Sequence, residues 1–180
     1  MKGNKTYTLA VGALTAAAYA LLTVALAPIS YGPVQLRLSE LLCILPYYLP
    51  CTVPGLFVGC FLANLLTGSV PDMVFGSLAT LLAALLTAGF GRGEDTALRR
   101  FLACLMPVAV NALVIGAVIT LAYQGMGIGS HPGVFALNAG QIALGEGAVL
   151  LLGGLPLLRL LPRSKSFREL TERAKNRNDK

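Results

Sequence analysis

The stretch YGPVQLRLSELLCILP, residues 31–46, lies between two strongly apolar segments of the chain. It places the polar side chains of Gln35, Arg37 and Glu40 close together where a long apolar run ends. Polar groups at the end of an apolar run are expected at the edge of a membrane rather than in its centre. The stretch therefore predicts a boundary between embedded and exposed chain, with a cluster of polar groups at that level.

Composition places the rest of the chain in a lipid bilayer. Of the 180 residues, 56% are hydrophobic and only 12% are charged, whereas about a quarter of an ordinary soluble domain is charged. A spanning helix needs about 20 apolar residues, so the length allows about six spans with short loops. The sequence therefore predicts an all-α integral membrane protein with six transmembrane helices.

Proline, glycine and charged residues divide the apolar sequence into predicted spans. The first span ends at Pro28, and Gly32 and Pro33 continue the break. Asp72 follows Pro71 and is expected to cap the N-terminus of the fourth span. The predicted limits are residues 6–27, 36–49, 55–66, from after residue 72 to 90, 100–123 and 134–161.

The positive charges predict the orientation in the membrane. With six spans both ends lie on one side, and the basic residues lie mostly at these ends and in the loop between the fourth and fifth spans. Cytoplasmic segments carry an excess of lysine and arginine, so both termini are expected in the cytoplasm. Residues 1–162 then form the membrane domain and residues 163–180 a basic cytoplasmic tail, where Ser166 and Glu169 predict a capping box and a short helix. The basic residues of the tail are Arg163, Lys165, Arg168, Arg173, Lys175, Arg177 and Lys180.

The first span carries two ridges of small side chains. Ala13 and Ala17 are four residues apart and form one ridge, and Gly12, Ala16 and Ala20 form the other. Small residues let helix backbones approach closely in lipid, where packing contacts drive association. From periodicity alone this face packs either against other helices of this protein or against another membrane subunit.

Glu146 is the strongest candidate for a functional residue. It lies about 18 Å along the predicted sixth span and has no lysine or arginine near it in sequence. A carboxylate at the membrane centre costs about 2.5–3.5 kcal/mol on insertion scales, so it should face a cavity, a partner or a ligand. Helical spacing puts Asn138 and Gln141 on the same polar arc. The alternative is a structural glutamate that is protonated or hydrogen-bonded.

Further polar residues are expected near the outer end of the bundle. Arg37 and Glu40 are three residues apart, so they either pair with each other or line the mouth of a cavity together with Gln35. Asn64 is expected near the same level, where it either binds a ligand or ties two helices together. The sequence leaves these alternatives open.

Several signatures of catalysis and cofactor binding are missing from the sequence. It has four cysteines but no CxxC pair, so they are expected to be small buried hydrophobic residues. It also has no GxxxxGK[ST], HExxH or GxSxG motif. We therefore expect no enzymatic activity, no cofactor and no metal site. Nucleic-acid binding is not expected either, because no folded basic surface accompanies the tail.

Three motifs carry a resemblance to a known family. They are YGPVQLRLSELLCILPYY at 31–48, PGLFVGCFLANLLTG at 54–68 and PDMVFGSLATLLAALL at 71–86. Together they resemble the QueT family of ECF-transporter S components, the substrate-capture subunits for queuosine precursors. The resemblance extends from the alanine-rich first span to GEGAVLLLGGLPL at 145–157, and it is weaker in the fifth span and the outer loops.

The resemblance implies a six-helix S-component bundle that binds a vitamin-like molecule on its extracellular side. Such subunits dock on a membrane coupling subunit driven by two ATPase subunits, and they are thought to topple in the membrane to release their substrate. The absence of a P-loop then has a simple explanation, because the energy comes from the partners. The resemblance implies that the small ridges of the first span form the docking face for the coupling subunit. These ridges consist of Ala13 and Ala17 and their neighbours Gly12, Ala16 and Ala20.

The implied ligand is a 7-deazaguanine, taken to be prequeuosine-one with its aminomethyl cation. Glu146 or Glu40 is expected to accept hydrogen bonds from the guanine-like edge, and the other carboxylate to pair with the ammonium group. The remaining expected contacts are amides to the carbonyl and ring nitrogens and an aromatic ring on the base, supplied by Asn138, Gln141, Gln35 and Tyr31. The alternatives are an S component for another vitamin-like or purine-like nutrient and a non-transporting membrane interaction protein.

Overall fold

A computed structural model describes residues 2–31 and 35–175 of the chain. Every regular element in those two ranges is helical. Five of the helices described there are long and apolar enough to cross a membrane, and the segment Leu38–Tyr47 forms a shorter apolar helix. The predicted all-α membrane bundle is therefore confirmed, with five long helices and one short one.

The helices follow one another through short connections. The α-helices are α1 Lys2–Ala25, α2 Ala27–Ser30, α3 Val53–Thr67, α4 Ser77–Phe90, α5 Ala97–Val118, α6 Pro132–Val149, α7 Leu155–Leu160 and α8 Lys165–Lys175. Short 3₁₀ turns at Pro50–Thr52 and Leu161–Arg163 precede α3 and follow α7. Three π-helical turns lead into α4, extend α5 and join α6 to α7, at Asp72–Gly76, Ile119–Tyr123 and Leu150–Gly154.

The second predicted span is a 3₁₀ helix rather than an α-helix. It covers Leu38–Tyr47 and contains Pro46. A 3₁₀ helix rises about 2 Å per residue, so these ten residues extend about 20 Å instead of about 15 Å. Runs of 3₁₀ helix longer than three or four residues are uncommon. The extended segment carries Glu40, with Arg37 just before its first residue.

The first span continues beyond its predicted end. α1 stops at Ala25, but α2 follows directly and holds Pro28 in its first turn. Proline is tolerated there because the amides of the first turn have no intrahelical partner. The predicted break at Gly32 and Pro33 lies outside the described residues.

Two predicted helix caps are wrong. Helical geometry already begins at Val70, so Asp72 lies inside the first turn and Ser69 precedes it. The Ser69 carbonyl accepts from the Met73 amide at 2.8 Å, which makes Ser69 the cap. In the tail, α8 starts at Lys165, so Ser166 is already inside the helix and cannot cap it.

The crossing of α1 and α3 depends on glycine. A Cβ atom on Gly55 would overlap the carbonyl oxygen of Gly12, and one on Gly59 would lie 2.7 Å from the carbonyl oxygen of Ala16. Only residues without a side chain allow the two backbones to come this close. The same crossing buries Tyr19, which has no exposed surface.

The start of α1 and the helix α8 lie at the same end of the bundle. The hydroxyl of Tyr7, near the start of α1, donates to the carbonyl oxygen of Leu170 in α8 at 3.1 Å. Tyr48 donates to the carbonyl oxygen of Leu158 at 2.9 Å, and its ring meets that of Phe167 edge to face at 5.8 Å. The amphipathic α8 is therefore anchored beside the start of α1.

The loop between α4 and α5 is held at this same end by Asp95. Arg100 donates to both carboxylate oxygens of Asp95 at 2.7 Å, and Tyr47 donates to it at 2.9 Å. The Arg100 guanidinium lowers the pKa of the Asp95 carboxyl below its usual range. The loop is thus tied to the end of the 3₁₀ helix.

We expect Asp95→Asn to lower the melting temperature of the detergent-purified protein by about 2–4 °C at pH 7. The ion pair is partly exposed and contributes about 1 kcal/mol, which corresponds to that shift for a protein of this size. Because the folded-state pKa is lowered, the contribution is present above the unfolded pKa of about 4 and disappears as the pH falls through the folded value.

Thermal melts of both proteins between pH 3 and 7 test this expectation. Glu94→Gln removes an exposed charge from the same loop and serves as the control. A difference between Asp95→Asn and the parent that stays constant over this pH range would contradict the assignment.

Candidate functional site

A cavity of about 800 Å³ opens at the end of the bundle opposite the two termini. Its wall consists of the chain after α1, the loop before α4, the end of α5 and the first half of α6. Small-molecule sites typically occupy about 300–1,000 Å³. The polar residues in the wall are Tyr31, Gln35, Thr67, Ser69, Asp72, Tyr123, Gln124, Asn138 and Gln141.

Four of the predicted site residues meet in this wall. Tyr31 and Gln35 come from the stretch after α1, and Asn138 and Gln141 come from α6. Gln35 has a φ of 44°, in the left-handed region that residues other than glycine rarely adopt. Such strain costs about 1–3 kcal/mol and is often found at functional sites. It is the one predicted site residue with such a φ in the described part of the chain.

Asn138 is fixed by the end of α5. Its side-chain amide donates to Thr120 Oγ1 and to Gln124 Oε1, each at 2.9 Å. The sequence analysis did not single out Gln124 or its neighbour Tyr123. A tyrosine and a glutamine directly after a long apolar run are typical of the membrane edge. This pattern could have predicted that Tyr123 and Gln124 lie near the other polar residues of the site.

Tyr31 is held by α3. Its hydroxyl donates to Asn64 Oδ1 at 2.8 Å and accepts from Thr67 at 3.1 Å. Asn64 is 1% exposed and also donates to the carbonyl oxygen of Asp72 at 3.1 Å. The sequence left two roles open for Asn64, which were binding a ligand and joining two helices. Its hydrogen bonds match the second role, because both its side-chain oxygen and its side-chain nitrogen already have partners in the protein.

Arg37 lies behind the cavity wall rather than at its mouth. It is 3% exposed, and its guanidinium lies over the Tyr31 ring at 5.1 Å from the centroid. Its Nε and Nη2 atoms have no hydrogen-bond partner. A cation over an aromatic face is favourable, and more so when it is buried. Arg37 therefore orders Tyr31 from behind while two of its donors stay unused.

Glu40 is engaged by neighbours other than Arg37. Its Oε1 accepts from the Tyr19 hydroxyl and its Oε2 from the Cys43 thiol at 2.9 Å. Arg37 and Glu40 form no ion pair within 4 Å, since the one such pair among the described residues is Arg100–Asp95. Glu40 is fully buried and does not line the cavity. Arg37 and Glu40 therefore neither pair with each other nor line the mouth of the cavity, which were the two alternatives drawn from their spacing.

Glu146 lies deeper than the cavity wall. It is five residues beyond Gln141 on α6, or about 7.5 Å along the helix axis. Asn111 of α5 donates to its Oε1 at 2.9 Å, while its Oε2 is buried without a partner. Glu40 and Arg37 are close enough to interact electrostatically with it. A buried carboxylate oxygen without a donor is costly and needs a reason.

Asp72 is the one charged residue in the described wall of the cavity. Its Oδ2 accepts from Ser69 at 2.6 Å and from Tyr123 at 3.2 Å, and its Oδ1 is buried without a partner. The sequence analysis treated Asp72 only as a helix cap. Its place in the wall depends on Tyr123, which is 51 positions away along the chain, so local sequence carried no signal for it.

The two small ridges of α1 have different surroundings. Gly12 and Ala16 face Gly55 and Gly59 of α3, so this ridge packs inside the protein. Ala13 and Ala17 are exposed. An outward groove of about 610 Å³ runs beside the crossing, and its lining includes Gly12, Ala13 and Ala16 together with Lys5, Gly55 and Val58.

Comparisons with known proteins give a consistent result. The family model described as QueT transporter matches residues 9–163. A curated protein named Queuosine precursor transporter QueT, from Lactococcus lactis subsp. cremoris (strain MG1363), is 30% identical over 173 residues, which cover 89% of this chain and 95% of that protein. No solved structure matches the chain significantly.

Proposed function

Because this chain belongs to the QueT transporter family, we propose that it is the substrate-binding (S) subunit of an energy-coupling factor transporter and captures a queuosine precursor. The curated relative is named as a transporter of queuosine precursors. The observation that carries the proposal is the cavity of about 800 Å³, whose wall combines aromatic, amide and carboxylate groups. A cavity of this size with several polar groups in its wall suits a small, flat, polar molecule.

The cavity faces the outside of the cell in this proposal, and both termini lie in the cytoplasm. The end of the bundle opposite the cavity carries the basic loop and the basic helix α8, and lysine and arginine are enriched on the cytoplasmic side. Residues 1–162 form the membrane domain, and residues 163–180 form the cytoplasmic tail. Arg177 and Lys180 of the tail lie outside the described residues.

The ligand is a 7-deazaguanine, taken as prequeuosine-one. Tyr31 offers the base an aromatic ring whose hydroxyl is fixed by α3, and the amides of Gln35, Asn138 and Gln141 meet its carbonyl and ring nitrogens. Glu146 accepts hydrogen bonds from the ring N–H and exocyclic amine, because its Oε2 has no partner in the protein. The base enters past Gln141 to reach it.

Glu40 and Arg37 support the site from behind. Both oxygens of Glu40 already have donors, so of the two glutamates it is the less suited to meet the base. Its negative charge lies near the Arg37 guanidinium and keeps that cation in place behind Tyr31. Arg37 and Glu40 are positioning residues in this proposal, and Asn64 joins them by holding the Tyr31 hydroxyl.

The transport step requires partner subunits. We assign the exposed ridge of Ala13 and Ala17, with the neighbouring groove, to the membrane coupling subunit, which two ATPase subunits drive. The observed packing of Gly12 and Ala16 against α3 restricts their role to setting the shape of that surface. Ala20 is partly exposed and extends the surface along α1 toward the cavity end of the bundle.

Binding of prequeuosine-one to the detergent-purified protein tests the proposal. Calorimetry with the protein alone is expected to give saturable one-to-one binding. Riboflavin and biotin, which lack the guanine edge, are expected to bind at least about 100-fold more weakly. Guanine keeps that edge but lacks the ammonium group, so it is expected to bind about 10- to 100-fold more weakly. Stronger binding of one of the control molecules would reassign the protein to another nutrient. No binding of any 7-deazaguanine by folded protein would favour a non-transporting interaction role.

A further inference from the structure

The buried charges of this protein have the opposite sign to the chain as a whole. The formal net charge is +6, yet the buried charged residues in the described ranges are three acids, Glu40, Asp72 and Glu146, and one base, Arg37. Burying carboxylates without enough cations is unfavourable. Such an excess of buried acids is offset either by protonation or by a bound cation, and the proposed ligand carries a cation on its aminomethyl group.

The three acids are not equally able to receive that charge. Glu40 is fully buried and both of its oxygens accept hydrogen bonds. Glu146 has one free oxygen but does not line the cavity. Asp72 lines the cavity, and it has a free oxygen as well. It is thus the one acid of the three in the described cavity wall. Its free Oδ1 is buried in the ligand-free protein, so a neighbouring side chain of the wall has to move aside before a ligand can bind that oxygen.

The bonds of Asp72 also fix how it presents its charge. Ser69 donates to Oδ2 at 2.6 Å. The Tyr123 hydroxyl lies 3.2 Å from Oδ2 and 2.5 Å from the Ser69 hydroxyl, so its one proton is shared between these two acceptors. The two hydroxyls hold the carboxylate in one orientation and leave Oδ1 as the unused acceptor of a side chain that is 4% exposed. A fixed carboxylate oxygen with no competing donor is a suitable acceptor for an ammonium group.

We propose that Asp72 is the specificity-determining residue that binds the ammonium group of the ligand and so selects aminomethyl-bearing 7-deazaguanines over uncharged ones. This inference rests on the proposed function and assigns to Asp72 the contact that the sequence analysis gave to Glu40 or Glu146. Glu146 then keeps the guanine-like edge. The selection follows from a charge-assisted hydrogen bond that a neutral substituent cannot form.

Calorimetry with two ligands and three proteins tests the proposal. The ligands are the 7-deazaguanine with an aminomethyl group and the same base with a methyl group in its place. The wild type is expected to bind the aminomethyl compound about 10- to 100-fold more tightly. In Asp72→Asn this preference falls to less than about threefold, because only the aminomethyl compound loses affinity. Glu94→Gln, which removes an exposed charge at the opposite end, retains the wild-type preference.

The outcomes separate this inference from the proposed function. A wild type that binds both ligands equally well would leave the proposed function standing and overturn the role of Asp72. Equal weakening of both ligands in Asp72→Asn would also overturn it, since that result indicates a structural role. Retained binding of the methyl compound by Asp72→Asn shows that the variant is folded, and it supports the proposal when the preference for the aminomethyl compound is lost. A folded variant that keeps the wild-type preference would overturn the proposal. A wild type that binds neither ligand would remove the proposed function itself.

Discussion

Glu146→Gln is expected to lower the affinity for prequeuosine-one by about 10- to 100-fold while leaving the ligand-free protein at least as stable as the wild type. Glutamine has the same shape and can still accept the hydrogen bond from Asn111. It cannot offer a second charged acceptor to the guanine-like edge, and a hydrogen bond to a charged group contributes about 1.5–3 kcal/mol. The substitution is therefore expected to weaken ligand binding and not the folding of the ligand-free protein.

The stability of the unliganded variant is the more informative half of this prediction. In the wild type, Glu146 Oε2 is buried without a donor, and Glu40 is a second acid nearby. Removing the carboxylate of Glu146 lowers the free-energy cost of burying two acids near each other. Such a cost in stability is expected at a binding site. Calorimetry and thermal melting of the same preparation measure both quantities, with Glu94→Gln as the control for the loss of one negative charge.

A structural role for Glu146 would give the opposite pattern. If the glutamate served only to join α5 and α6 through Asn111, the substitution would lower the melting temperature and leave affinity unchanged. That result would contradict the assignment and return Glu146 to the alternative that the sequence left open.

Gly55→Ala is expected to destabilise the protein by at least about 3 kcal/mol, which corresponds to a fall in melting temperature of about 6–12 °C for a protein of this size. The new methyl group would overlap the Gly12 carbonyl oxygen of α1, and backbone atoms cannot move aside as a flexible side chain can. The two helices must separate along their crossing. Tyr19 lies at this crossing, so its hydrogen bond to Glu40 is expected to weaken as well.

Gly89→Ala is the matched control for this prediction. Gly89 lies in α4, and a Cβ atom there would have no neighbour within 4 Å. We expect its melting temperature to equal that of the wild type or to exceed it by up to about 4 °C, because alanine favours a helix over glycine by about 1 kcal/mol. Equal melting temperatures for Gly55→Ala and the wild type would contradict the close crossing of α1 and α3.

The two predictions concern connected parts of the molecule. The crossing of α1 and α3 positions Tyr19 and, through Tyr19, Glu40. Glu40 and Arg37 lie between that crossing and the cavity, with Arg37 behind Tyr31. The buried polar groups Tyr19, Glu40 and Arg37 therefore lie between the surface that we assign to the coupling subunit and the proposed ligand site, with a hydrogen bond from Tyr19 to Glu40 and a through-space attraction between Glu40 and Arg37. This link gives a physical route by which docking and ligand binding can affect each other.

Local sequence was sufficient for the membrane fold. The length of each apolar run, together with the prolines, glycines and charges between runs, is a property of consecutive residues and sets where helices cross a bilayer. Local sequence also identified Glu146 as a candidate site residue, because an isolated carboxylate in a long apolar run is costly wherever the helix is placed. The resemblance to the QueT family came from contiguous motifs and agrees with the family model that matches the chain.

The tertiary structure decided which polar groups meet. Whether Arg37 pairs with Glu40, which small ridge of α1 is buried, and whether Asp72 caps a helix or faces a cavity all depend on the rotation of each helix and on partners far away in sequence. Tyr19 reaches Glu40, Asn111 reaches Glu146 and Tyr123 reaches Asp72. Apolar periodicity does not determine these rotations in a membrane, because lipid and protein interior are equally apolar and close packing alone sets how each helix is turned.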